Sequence, residues 1–405
     1  MDTTPHGTQV DVGIVGGGPA GLMTALLLRR RGISAAVVEA RSEETIAHTQ
    51  RAGILEAPTV QMLLDADIGS RVLTEGHEHT GTVLSFEGDQ RRIDFQELVG
   101  RSVWLYPQNE VFRDLAAAWQ REEGIIHWSV ENTAVEGLDS DRPQIGFTDA
   151  DGVSRTIEAR VIVGADGSRS MCRKLIPEGV RTDHFTSYPF AWFGILCEAP
   201  PTAPELIYAN SEVGFALISQ RSDTVQRMYF QCDPDTDPES WSDDEIFDHI
   251  QRVLGGEEVV ELRRGRITER TVLPFRSYVC DPLTYGRLVL AGDAGHTVPP
   301  TGAKGLNLAF SDVRALVPRL EELLGDPAAR PDDDGLFDPL RRYSATALDR
   351  VWKAQNFSYW ATNLLHRRPD EDSFAHLRRR GEFQAITRSA YGRGYFADSY
   401  TGWAD

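Results

Sequence analysis

Apolar and polar positions along this chain follow two rhythms. In the first, short solid apolar runs alternate with longer striped segments. Val10 to Val15 is a β-rich apolar run and predicts a buried strand. Leu22 to Arg31 is apolar with a basic end, and Gly32 is placed to stop it, so a helix is expected there. Ser34 to Val38 predicts a second strand. Val161 to Gly164 and Leu288 to Leu290 are later runs of the same kind, and an apolar helix is expected from near Gly305. Helices are also expected from Gln50 to about Ala66, over Gln108 to Glu122, and from Leu336 onward. In the last of these, Trp352, Phe357, Tyr359, Trp360 and Leu364 fall on core or dimer-packing faces. Solid strands that alternate with helices predict a parallel α/β sheet.

The second rhythm has period two. Ala191–Glu198, Glu205–Ala209, Gly214–Ser219 and Gln226–Cys232 alternate and predict an antiparallel sheet in a second, α+β unit. Thr82 to Leu98 reads as a hairpin about Glu87-Gly88-Asp89, and strands are expected at Ile125–Val135, Pro143–Phe147 and Arg155–Ala159. Ser242 and Glu245 form a capping box at a helix start. Gly325 to Gly335, rich in Pro and Asp, reads as a surface loop.

Composition narrows the function classes. The 405 residues carry a net charge of −19, which argues against nucleic acid and against an anionic membrane as partner. No apolar run reaches the roughly 18 residues of a membrane span. Four cysteines without a CxxC spacing predict neither a disulfide framework nor a metal site, and suit a reducing cytoplasm. Met1 to Gln9 lacks the pattern of a secretory signal.

The chemistry gathers where strands end. The first strand runs into Gly16-Gly-Gly18-Pro-Ala-Gly21 and then a helix, and the second ends in Glu39, about 20 residues on. This is the dinucleotide-binding pattern. Gly16 permits the turn, Gly18 lets a pyrophosphate approach, Gly21 lets the helix pack on the sheet, and Glu39 would accept bonds from a ribose. Two further strands end in acids, Asp166 and Asp293. Asp293 is followed by His296, Pro299-Pro300-Thr301-Gly302 and the helix start at Leu306-Asn307, whose exposed N–H groups suit an anion or an electron-rich ring. His296 is expected to be structural. One large dinucleotide held from several strand ends is the reading that follows.

Nearly the whole chain resembles the FAD-dependent aromatic hydroxylases of group A, and within them the branch that acts on 4-hydroxybenzoate. The matching stretches are Gln50–Glu56, Glu205–Asn210, Gly214–Ser222, Ala291–Asn307 and Leu365–Asp370. The resemblance implies a Rossmann-like FAD-binding domain made of residues 1–78, 102–180 and 273–324. It also implies a substrate-binding sheet domain (79–101 and 181–272) and a helical C-terminal region (336–405) used for homodimerisation. The implied reaction adds oxygen from O2 ortho to the hydroxyl of 4-hydroxybenzoate, giving 3,4-dihydroxybenzoate, through a flavin hydroperoxide with NADH or NADPH as reductant. An amino-substituted ring (4-aminobenzoate or 3-amino-4-hydroxybenzoate) fits the same motifs. A non-catalytic FAD-fold binding protein and a flavin-free NAD dehydrogenase are the readings from other classes.

By the same resemblance, Tyr208 bonds the substrate hydroxyl, Tyr400 bonds Tyr208, and His79 links the pair to solvent. A phenol with an ordinary pKa near 10 must be brought to its phenolate for this chemistry. Arg221 holds the substrate carboxylate with Ser219 and Tyr229, and a guanidinium does so through two parallel bonds. Arg227 supports the site; Pro300 and Thr301 border substrate; Trp192, Leu206, Leu217 and Ala303 form apolar walls, with Ile54 and Met171 near the pocket. Arg51, Gln108, Asp166, Asp293 and the backbone of Leu306 and Asn307 are the expected flavin contacts, beside Gly16, Gly18, Gly21 and Glu39. NADPH-using members carry Arg and Tyr beyond the position of Glu39 and an Arg two residues before that of Arg51. Here Ala40, Thr45 and Thr49 stand there, with Glu43 and Glu44 nearby and Arg41, Arg169 and Arg276 as cations on that side. NADH is therefore the favoured reductant.

Overall fold

The computed structural model describes residues 7–49, 53–256, 258–325 and 333–403. Val12–Val15, Ala35–Val38 and Ile125–His127 lie side by side in a six-stranded sheet, with Val161–Gly164 and Leu288–Leu290 on the other flank of the first strand. These five strands are parallel and in register, Gly164 lying level with Val15 and Leu290, and Val15 with Val38. Four of the five are buried throughout, as the solid apolar runs require when helices cover both faces. The shared register brings Gly16, Glu39, Asp166 and Asp293 to one edge of the sheet.

The second sheet has eight strands, in the order His296–Thr297, Arg266–Asp281, Thr182–Glu198, Val225–Cys232, Gly214–Ser222, Ile207–Ser211, Gly81–Phe86, Asp89–Asp94. Period two sorts its side chains cleanly. Phe190, Trp192, Leu206, Tyr208, Phe215, Leu217, Tyr229 and Phe275 share one buried cluster. Phe193, Ile195, Ile207, Ala209, Ala216, Ile218, Met228 and Phe230 form another, under the helix Asp243–Val253. That helix starts at Ser242 with the expected capping box to Glu245.

The C-terminal region is helical as expected: Asp333–Leu365, Ser373–Arg388 and Ala390–Thr401. Phe357 and Leu364 are buried, whereas Trp352 and Tyr359 are exposed.

Several local readings change. Ile54–Glu56 is a strand, not the start of a helix, and the helix runs Ala57–Asp65. The reason is tertiary: the Asn307 side chain takes the Glu56 N–H and gives to the Ile54 carbonyl, both at 2.9 Å, which holds these residues extended. Ile125–Val135 divides into two strands in different sheets, Ile125–His127 and Glu131–Glu136. The turn after Asp166 leads only into a short 3-10 helix, Cys172–Leu175. Arg266–Asp281 is a 16-residue strand that runs across the expected domain boundary at 272 and 273. Asp333–Gly335 belong to a helix rather than the expected loop, and the loop's central residues, 326–332, lie outside the described residues.

Candidate active site

The glycine turn is shaped for a ligand. Gly16 has φ +113°, and a Cβ there would lie 2.2 Å from the Ala165 carbonyl oxygen, so the turn itself excludes a side chain. Gly18 differs. A Cβ there would meet nothing within 4 Å, so the protein does not explain the missing side chain. Gly18 is also the N-cap of the helix Pro19–Arg29, with no side-chain cap. A pyrophosphate approaching that open helix start accounts for both facts. Glu39 holds the Gly17 N–H at 2.8 Å and faces Arg41 at 3.1 Å. Asp166 turns onto its own loop, accepting from Ser170 and from the backbone of Met171 and Cys172, and so shapes the turn.

Asp293 sits half-buried on a short turn that is pinned from behind. Asp312 takes the Gly292 N–H at 2.7 Å and pairs with His296 at 2.6 Å. Burial would lower the His296 pKa, but the Asp312 charge overrides it and raises it. The structural role expected for His296 is this buried pair. The open cradle at Gly18 and the strand-end acids fit FAD. Arg51 lies outside the described residues, and Gln108 is the half-buried first residue of the helix Gln108–Arg121.

A cavity of about 550 Å³, counting its open mouth, lies against the eight-stranded sheet and is closed by Ile54, the segment 105–107 and Pro300. Its lining includes Trp192, Leu206, Tyr208, Leu217, Ser219, Arg221, Arg227, Tyr229, Pro300, Ala303 and Ile54. Tyr208 pairs with Leu217 across the strands, and Arg221 lies four residues farther along. At about 3.3 Å per residue, that separates the two backbones by roughly 13 Å. Tyrosine and arginine thus mark two ends of one cavity.

At the tyrosine end, the Tyr208 and Tyr400 hydroxyls are 2.7 Å apart and buried. Burial raises both phenol pKa values, so both tyrosines are neutral donors near neutral pH. Tyr400 stands behind Tyr208 rather than on the cavity wall. It rides on the last turn of the helix Ala390–Thr401, and cations hold the carbonyls that follow. Lys304 donates to the Ser399 carbonyl, to that of Tyr400 (3.2 Å), and to the Glu56 carboxylate (2.5 Å). Arg101 holds the Gly402 carbonyl at 2.5 Å, and Arg350 that of Trp403 at 3.1 Å. Cations suit a helix C-terminus. Burial lowers the Lys304 pKa while Glu56 opposes the shift.

His79 is buried, with both ring nitrogens lacking a hydrogen-bond partner. Burial brings its pKa down to about 4. The expected relay is therefore joined at its first link, Tyr208–Tyr400, and no direct hydrogen bond joins His79 to it.

At the arginine end, Arg221 donates to Asn109 at 3.0 Å, and burial together with nearby Arg227 lowers its pKa. Arg227 donates to the Tyr229 hydroxyl at 3.0 Å and to Glu269 at 3.1 Å. Ser219 donates to the Gln220 carbonyl at 3.1 Å.

Two expected contacts are displaced. The Thr301 hydroxyl is satisfied by Thr362 at 3.0 Å, so its side chain stands behind Pro300 and off the cavity wall. Met171 packs against the core of the parallel sheet instead of the cavity. Sequence reasoning also missed Lys304, Asn109, Gln220 and Tyr106. Of these only Lys304 carried a signal, as a lone cation in an otherwise apolar and glycine-rich turn.

The profile of the family described as "FAD binding domain" matches residues 9–358. The chain is 39% identical to the p-hydroxybenzoate hydroxylase of Acinetobacter baylyi, over 97% of this chain and 95% of that protein. It is 28% identical to the 3-(3-hydroxy-phenyl)propionate/3-hydroxycinnamic acid hydroxylase of Mycobacterium avium, over 85% of this chain and 60% of that one. Among solved structures, p-nitrophenol 4-monooxygenase PnpA of Pseudomonas putida superposes with a TM-score of 0.80 at 17% identity, covering 98% of this chain and 100% of the other. This last likeness concerns the fold.

Proposed function

We propose that this chain, which belongs to the FAD-dependent aromatic hydroxylases of group A, hydroxylates 4-hydroxybenzoate ortho to its hydroxyl to give 3,4-dihydroxybenzoate. It is a flavin-dependent aromatic monooxygenase, so an aromatic substrate and O2 are given; the ring, the position and the reductant are the proposal. One observation carries it: a single cavity offers the neutral Tyr208 hydroxyl, backed by Tyr400, and a half-buried guanidinium, with apolar walls between. A phenol with a carboxylate at its far side satisfies both ends.

Bound FAD, once reduced by a nicotinamide, supplies the electrophilic oxygen from O2. The residues of this chain bind and orient the ring and move one proton. Arg221, with Ser219 and Tyr229 beside it, holds the carboxylate and fixes the long axis of the ring. The Tyr208 hydroxyl meets the substrate hydroxyl, and Tyr400 takes up the hydrogen bond behind it. A phenolate formed at that position keeps a donor through the step. His79, neutral near pH 7, is the proton exchanger farther along. Glu39, Asp166, Asp293, Gln108, the glycine turn and the Leu306-Asn307 backbone are proposed to hold the cofactor.

We favour NADH over NADPH. Glu43 and Glu44 stand exposed at the start of the helix Glu43–His48, where acids repel a 2′-phosphate, and the nearby Arg41 is engaged by Glu39. A cytoplasmic homodimer is proposed too. Phe374 and Tyr391, 75% and 92% exposed on the C-terminal helices, are apolar surface that a second copy would cover. The deciding experiment is a panel of benzoates (4-hydroxy-, 4-amino- and 3-amino-4-hydroxy-) with NADH or NADPH and product identification. Product from 4-hydroxybenzoate that matches reductant consumed supports the reading. Consumption with hydrogen peroxide alone marks an effector and refutes it for that compound.

A further inference from the structure

The last turn of the long helix Asp333–Leu365, continued by His366, reaches the cavity wall at Trp192 and, through Thr301, the neighbour of the wall residue Pro300. Thr362, fully buried, donates its hydroxyl to Thr301 at 3.0 Å, next to the cavity residue Pro300. One turn later, His366 accepts the indole N–H of Trp192 at 2.7 Å. Trp192 is a wall of the same cavity on the sheet side. The other His366 nitrogen, Nδ1, lies 2.9 Å from the Thr362 carbonyl. An indole N–H only donates and a carbonyl only accepts, so Nδ1 carries the proton and Nε2 is bare. The neutral ring is clamped between Phe190 and Phe215, with centroids 4.7 and 4.2 Å away. Burial holds its pKa down to about 3, so this tautomer persists at any working pH.

An apolar side chain would fill this aromatic slot without the desolvation that an imidazole suffers. It would, however, leave the Trp192 N–H buried and unpaired. A fully satisfied polar pair in such a place fixes one geometry rather than merely filling space. The same stretch is tied to the sheet elsewhere too: Asn210 donates to the Leu365 carbonyl at 2.6 Å, the Arg367 N–H donates to Gln231 at 3.0 Å, and Gln231 donates back to the Arg367 carbonyl at 2.5 Å. These ties hold the helix end in place. Thr362 and His366 connect it by hydrogen bonds to Thr301, beside Pro300, and to Trp192.

We propose that Thr362 and His366 form a two-point gauge that sets the spacing between Trp192 and Pro300, and so the width of ring the cavity accepts. They are positioning residues: neither lines the cavity. The proposal rests on the reading of the cavity as the site of an aromatic acid. It adds that selectivity for ring substituents is decided partly at residues 362 and 366.

The test compares His366→Leu, His366→Gln and Thr362→Val as holoenzymes. For each, the affinities for 4-hydroxybenzoate and its 3-methyl analogue are measured, with product formed per NAD(P)H. Losing one buried hydrogen bond should weaken the unsubstituted acid about fivefold in His366→Leu. The wider analogue should lose less, so the affinity ratio shifts and product per reductant falls. His366→Gln keeps an acceptor near the Nε2 position and should restore both readouts. Thr362→Val should shift the ratio the same way. Ratio and yield unchanged in Thr362→Val and His366→Leu, with only the melting temperature lowered, would overturn the gauge in favour of plain core packing. If His366→Leu does not fold, Thr362→Val and His366→Gln decide alone. If the wild type binds neither acid, the substrate reading fails. The gauge is then judged by the near-UV circular dichroism of Trp192, isolated by subtracting Trp192→Phe. It should survive in His366→Gln and vanish in the shorter His366→Asn; an unchanged signal in His366→Asn would sink the gauge.

Discussion

The two ends of the cavity are built by opposite means. The tyrosine end is part of the fold. Tyr208 and Tyr400 satisfy one another, and Lys304, Arg101 and Arg350 lock the segment that carries Tyr400. The arginine end is held differently: burial and the nearby Arg227 charge lower the pKa of Arg221, while Arg227 itself pairs with Glu269. On the proposed reading, a substrate carboxylate would offset the Arg227 charge at Arg221; nothing comparable is proposed at the tyrosine end. Substitutions at the first end should therefore cost folding or coupling, and at the second end binding.

The largest effect expected is on folding at the tyrosine end. Lys304→Met leaves Glu56 buried beside two backbone carbonyls, and breaking a buried pair in this way costs about 3–5 kcal/mol. Denaturant unfolding measures it; a change below about 1 kcal/mol, the size of an exposed ion pair, would mean that water reaches the pair. Next comes binding at the arginine end. Arg221→Ala should weaken 4-hydroxybenzoate by about 2–5 kcal/mol, the range for truncating a buried charge partner, with the melting temperature nearly kept. Normal affinity would put the carboxylate elsewhere.

Acid should also separate the two ends. His79, next in the proposed proton path, has a pKa of about 4 when folded against 6.5 ordinarily, so the unfolded chain takes up that proton first. Its share of stability is whole above pH 6.5 and is lost as pH falls toward 4, by about 3 kcal/mol at most. His366 acts the same way, down to about 3. His296 runs the other way: its pKa is raised, so its contribution is whole below 6.5 and fades as pH rises. Unfolding free energy measured from pH 7 to 4 should fall less steeply in His79→Gln than in the wild type; equal slopes would mean the buried ring meets water. The smallest effect on affinity belongs to Tyr208→Phe. It should cost binding no more than about 1 kcal/mol, the net value of one hydrogen bond, while product per NAD(P)H collapses.

Much of this was readable in the sequence because it is local. Strand-end motifs need only a strand and the next few residues, and the parallel register then gathers them. Period two puts Ser219 and Arg221 on one face of their strand, whereas Tyr208 and Tyr229 join them only through the resemblance. What stayed hidden depends on partners far along the chain. Lys304 meets Glu56 across 248 residues, and Arg221 meets Asn109 across 112. Ile54–Glu56 reads as helix until Asn307, 251 residues away from Glu56, holds it extended. Thr301 is expected on the cavity by resemblance to the family; only the hydroxyl of Thr362 shows that it faces away. The spacing of Thr362 and His366 was visible, but not that Thr301 and Trp192 flank them.

The most direct test of the account is the yield of 3,4-dihydroxybenzoate per NADH consumed when the purified holoenzyme turns over 4-hydroxybenzoate in air. The account predicts one product for nearly every NADH, and in Tyr208→Phe a low yield with the substrate still bound. NADH consumed without that product in the wild type, or an undiminished yield in Tyr208→Phe, would contradict it.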